Sequence, residues 1–126
     1  MKVFAKIVVG ILMFATAASA ATYTNATVKG NYSLLLEDGG AALVGLLTFD
    51  GASDVTLTYT QTGPSSGTFS GTYTVDSNGT GTITTSGNNE TFTLTFVLGS
   101  VVDGTAKILN MVVTGGGTGG GTATRQ

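Results

Sequence analysis

The sequence has no cysteine, no tryptophan and no histidine, and a single proline in 126 residues. Without cysteine there is no disulfide framework, so a folded domain must rest on packing and strand pairing. Without His and Cys, Ser-His-Asp and Cys-His nucleophilic catalysis are excluded, as are the usual zinc sites. Charge is also scarce, with five basic and seven acidic residues. Helical periodicity with caps is missing beyond residue 30.

What is present begins with an export signal. Lys2 and Lys6 precede the uncharged run Ile7 to Ala15, which closes on the small-x-small site Ala18-Ser19-Ala20. A positive n-region, a short apolar h-region and small cleavage residues are the parts of a signal peptide. A membrane span needs about 20 apolar residues, and this run is shorter. The expectation is therefore a leader over 1–20, cleaved after Ala20, and one domain over 21–126 that is secreted or periplasmic. Within 21–126 the basic residues are Lys29, Lys107 and Arg125, against seven acids, a net charge of −4. That balance argues against nucleic acid or anionic membrane as partners.

The dominant pattern is strict alternation of apolar residues with Thr. It runs through Val55–Thr60, Thr68–Val75, Thr80–Thr84 and Thr91–Phe96. Period two places apolar side chains on one face and Thr on the other, which is half-buried strand chemistry. Seven short clusters rich in Gly, Asn, Asp or Ser separate these runs. Short connections of this kind join antiparallel neighbours as hairpins. Eight strands are expected, near 30–37, 41–50, 54–62, 67–75, 79–86, 90–98, 105–114 and 120–125. The fold class is all-β: an antiparallel up-and-down meander closing into a small barrel, which removes exposed edges. A membrane barrel would need longer strands and aromatic girdles. Residues 21–29 are expected to plug the barrel or lead into the first strand.

Several groups invite chemistry and fit plainer roles. Asp50 and Asp54 flank one turn and read as turn residues. Asp76-Ser77-Asn78-Gly79-Thr80-Gly81 lacks the third acidic position and the terminal Glu of a calcium loop. Gly115–Gly121 lacks the following helix that a phosphate cradle needs. No metal and no cofactor are expected. Alternation turns Tyr59, Phe69, Tyr73, Phe92 and Phe96 inward, where they either fill the barrel or line a pocket for a small apolar ligand.

Two further features follow from closure. The last strand returns beside the first, bringing Arg125 near Tyr32 of Gly30-Asn31-Tyr32, where a guanidinium over the ring would seal that end. The first, second and seventh strands are apolar on both faces. With Tyr32, Leu34, Leu36, Leu43, Leu47 and Phe49 inward, Leu35, Ala42, Val44 and Leu46 point out. An apolar outer wall of this kind marks a contact, with a second copy among the candidates. For the seventh strand, alternation does not decide whether Leu109, Met111 and Val113 or Ile108, Asn110 and Val112 face inward.

Gly30, Tyr32 and Arg125 resemble the calycins, lipocalin-like barrels that pair G-x-W near the first strand with an Arg near the last. Tyr stands here in place of Trp. The eight short strands also resemble allene-oxide-cyclase and dirigent barrels, and the ending Gly121 to Gln126 is similar to that of small secreted bacterial proteins of unknown function. These likenesses imply a fold and no residue roles. The leading expectation is an exported, non-catalytic binding or surface-interaction barrel. The alternatives are an isomerase or cyclase acting by cavity shape, which the allene-oxide-cyclase likeness implies, and a purely structural secreted subunit.

Overall fold

A computed structural model describes residues 22–63 and 65–126, so the expected leader over 1–20 lies outside the described residues. A single 3-10 turn, Asn25–Thr27, precedes ten strands. They are β1 (Gly30–Asp38), β2 (Ala41–Phe49), β3 (Asp54–Gln61), β4 (Ser65–Val75), β5 (Thr80–Gly87), β6 (Glu90–Leu98), β7 (Val101–Val102), β8 (Thr105–Ala106), β9 (Ile108–Gly115) and β10 (Gly119–Arg125).

Eight of these close into an antiparallel barrel in the order β1-β10-β9-β6-β5-β4-β3-β2. The seam is the pairing of β1 with β10, running from Tyr32 opposite Arg125 to Asp38 opposite Gly119. Closure leaves the barrel no free edge, which a Thr-rich sheet without disulfides needs to stay monomer-competent. Alternation is obeyed throughout: Tyr32, Leu34, Leu36, Leu43, Leu47, Phe49, Val55, Leu57, Phe69, Tyr73, Ile83, Phe92, Leu94 and Phe96 are all buried in one continuous core. The Thr residues between them face outward or lie half-buried, apart from Thr85, whose buried hydroxyl donates to the Phe92 carbonyl at 3.2 Å.

The seventh expected strand is where expectation and structure part. Residues 105–114 do not run as one strand. Val101–Val102 and Thr105–Ala106 form a small separate hairpin, and the barrel strand starts at Ile108. The break is held by backbone bonds: Lys107 N–H donates to the Ser100 carbonyl at 2.6 Å, and Gly99 N–H to that of Ile108 at 2.7 Å. The Tyr32 hydroxyl, donating to the Ala106 carbonyl at 2.6 Å, ties the hairpin across the barrel end. In β9 the buried set is Leu109, Met111 and Val113. Their partners decide it: Leu109 lies opposite Leu98 and Ala123, and Met111 opposite Phe96, all inward residues.

A meander gives the barrel two distinct ends. The links β2–β3, β4–β5 and β6–β9 lie at one end with residues 22–29. The links β1–β2, β3–β4, β5–β6 and β9–β10 lie at the other.

Candidate functional site

The first end is sealed. Asn25 is its pin: its Nδ2 donates to the carbonyls of Ala52 (2.6 Å) and Tyr73 (3.3 Å), and its Oδ1 accepts Val75 N–H at 2.7 Å. The Tyr73 hydroxyl lies 2.9 Å from the Asn25 carbonyl and 2.8 Å from that of Val28, and donates its hydrogen between them. Val28 and Ala106 are fully buried against this layer. Tyr32, Phe49 and Tyr73 stack edge to face, with ring centroids 5.3 and 4.8 Å apart. Burial pushes both tyrosine hydroxyls up, Tyr73 to about 12, with the charge of Asp50 adding to the effect there. Protonated phenols that donate inside an apolar layer cement a wall and offer no base near neutral pH.

Arg125 and Gly30 belong to the same end. Arg125 Nε donates to the Lys29 carbonyl at 2.9 Å, and a Cβ on Gly30 would stand 3.0 Å from Nη2. Gly30 also has φ of 99°, a left-handed conformation that L side chains rarely adopt. Gly30, Tyr32 and Arg125 thus meet, with the guanidinium laid over the glycine and Tyr32 its cross-strand neighbour. Asp50, expected in a turn, accepts three backbone hydrogens there, from Ala52, Ser53 and Asp54. Those bonds hold its carboxyl below the usual range.

The opposite end is open. Leu43, Leu57, Tyr59, Phe69 and Phe92 line a cup of about 140 Å³ between the strand ends, with Asp38, Gln61, Glu90, Thr91 and Gly116 at its mouth. Tyr59 and Phe69 meet edge to face at 5.3 Å, and Phe69 and Phe92 at 6.2 Å. Phe69 can lie flat against β5 because Gly87 has no Cβ; one there would come 2.7 Å from the ring. Asp38 is fixed at the mouth by Thr118 N–H, donating to its Oδ1 at 2.9 Å, while Gly39 N–H donates to the Thr118 carbonyl.

Of the five expected interior aromatics, the structure brings Tyr59, Phe69 and Phe92 together at the cup. Tyr73 lies in the sealed layer. Phe96 is buried between β5 and β9, opposite Gly81 and Met111. Asp38 and Gln61 were not singled out from the sequence. The signal for them is positional: in a meander, residues flanking alternate turns gather at the same end. Among the described residues no group of three His, Cys, Asp or Glu side chains is arranged to hold a metal ion.

On the outer wall, Leu35 and Val44 are cross-strand partners, 58% and 55% exposed, and Leu46 beside them is half-buried. Val97 of β6 and Val112 of β9 are each 52% exposed. β10, between β1 and β9, presents Gly120, Thr122 and Thr124 outward, so the apolar wall has two banks separated by a low, polar strip. Comparison with known protein families, curated proteins and solved structures finds no match, so the functional reading rests on the geometry of the cup and the wall.

Proposed function

We propose that this chain is an exported, non-catalytic binding barrel whose open end takes a small apolar group. The observation that supports it is the aromatic cup: about 140 Å³, with Leu57 deepest and Leu43, Tyr59, Phe69 and Phe92 around it. Drug-sized pockets run to roughly 300–1,000 Å³, whereas a dry cavity of about 150 Å³ accepts one benzene ring. The cup therefore suits a ring or a short branched chain, presented singly or as the tip of something larger. Cofactors are not called for. The isomerase alternative would need a buried carboxylate or a water site within the barrel; among the described residues the buried polar side chains are Thr27 and Thr85, and Asp38 and Glu90 stand at the mouth of the cup. The meeting of Gly30, Tyr32 and Arg125 at the sealed end supports the calycin likeness.

Titration with benzyl alcohol, followed by amide shifts, tests this reading. Saturable shifts centred on residues 59, 69 and 92 are expected, with a Kd of about 1 mM for a ligand this small. Leu43→Phe, which fills the cup, should abolish them. Absence of saturable shifts in the wild-type protein would overturn the reading.

The outer wall supports a second reading, a surface-interaction or structural subunit that self-associates through β1 and β2. Exposed Leu35 and Val44 favour it. Light scattering at micromolar concentration should then show a dimer that Leu35→Thr with Val44→Thr dissolves; a wild-type monomer counts against it.

A further inference from the structure

The cations of the described residues are confined to one barrel end, where Asp50, Asp54, Asp76 and Asp103 also lie. Lys29, Lys107 and Arg125 all lie at the sealed end: Arg125 Nε bonds the Lys29 carbonyl, Arg125 N–H bonds the Lys107 carbonyl, and the Lys29 stem lies over Gly51. The open end carries Glu37, Asp38 and Glu90 and no basic residue. Along β1 the two ends are about 26 Å apart at roughly 3.3 Å per residue. That is about three screening lengths at physiological salt, so the distant cations do not neutralise the rim. Two of the three carboxylates, Asp38 and Glu90, stand on the mouth of the aromatic cup, and Asp38 is already oriented by Thr118 N–H.

We infer that the ligand of the cup is an organic ammonium ion, its ring-sized apolar body seated among Tyr59, Phe69 and Phe92 and its charged nitrogen at the Asp38–Glu90 rim. This rests on the binding-barrel reading and adds the charge of the ligand to it. Two independent features converge on the same chemistry. The aromatic walls favour a ring-sized apolar body by contact, and the carboxylates at the mouth favour a positive charge while disfavouring a negative one. A neutral apolar ligand would use the first feature only. A carboxylate-bearing one would meet the second as repulsion.

Benzylammonium, benzyl alcohol and benzoate have nearly the same size and separate these terms. Amide-shift titrations of the purified protein with each should rank benzylammonium first, tighter than benzyl alcohol by about tenfold, with benzoate weakest. The advantage should shrink as salt rises from about 20 to 500 mM, because the rim is exposed to solvent. In Asp38→Asn with Glu90→Gln, the ratio of the first two affinities should fall toward one. The amide introduced by Asp38→Asn keeps an acceptor for Thr118 N–H, and an unchanged amide spectrum would verify the fold. Equal binding of benzylammonium and benzyl alcohol, or a preference that survives the double substitution, overturns the charge assignment and leaves the cup standing. Failure of all three probes overturns the cup, and the charge assignment with it.

Discussion

Tyr73 donates its hydroxyl hydrogen to carbonyls of the entry turn while its ring packs on Phe49, so one substitution separates hydrogen bonding from packing. Tyr73→Phe keeps the ring and takes its donor from the buried Val28 carbonyl, while the Asn25 carbonyl keeps Val28 N–H at 3.0 Å. A loss of about 1–3 kcal/mol in urea unfolding is expected. The same hydroxyl sets a pH dependence. Its folded pKa is raised from the ordinary 10.0 to about 12. The stability it contributes is therefore complete below pH 10 and is lost as pH rises through 12. Urea midpoints compared at about pH 9 and pH 11.5 should fall in the wild-type protein and fall less in Tyr73→Phe. An identical fall in both would mean that another group governs alkaline unfolding. Arg125 is a second residue with a defined task. Arg125→Ala should lower the Tm by a few degrees, on the order expected for about 1 kcal/mol in a domain of this size. An unchanged Tm would show that the guanidinium over Gly30 closes nothing.

Elements differ in how plainly their residues announce them. The eight barrel strands were legible because the Thr alternation holds a period of two and the turns fall at regular spacing. The β7–β8 hairpin was not. Asp103-Gly104, both at positive φ, is a local two-residue turn signal, but Thr105 and Ala106 continue into apolar residues and read as the start of a longer strand; what ends them is a fold-back fixed by Ser100, Lys107 and Tyr32, which is not local. The inward face of β9 was equally hidden, since Ile108 and Val112 are as apolar as Leu109 and Val113. Cross-strand register decides it. For the cup, alternation identified the inward aromatics, but not which of the two ends each occupies. The turn over 22–29 is joined to the barrel at several points, and Asn25 is the most connected. Asn25→Ala removes bonds to Ala52, Tyr73 and Val75. Hydrogen exchange should then accelerate at Val75 and across 22–29, while the Leu57 and Leu94 amides stay protected. Uniform acceleration through every strand would show instead that the plug and the barrel unfold as one unit.

At the scale of the whole molecule, the barrel is polar along its axis and uneven around its circumference. One end is sealed by hydrogen-bonded tyrosines, a 3-10 turn and a short hairpin. The other presents an aromatic cup with two carboxylates at its mouth. Around the outside, Thr covers β3 to β5, while Leu35, Val44, Val97 and Val112 leave two apolar banks on either side of β10. A ligand could be drawn to either apolar surface, so affinity alone does not locate it. Intermolecular NOEs from the ring protons of bound benzylammonium to protein side chains do. The account predicts cross-peaks to Tyr59, Phe69 and Phe92, with the methylene next to the nitrogen reaching Thr91 or Gln61 at the mouth. Cross-peaks to Leu35, Val44 or Val112 without any to Phe69 and Phe92 would contradict it.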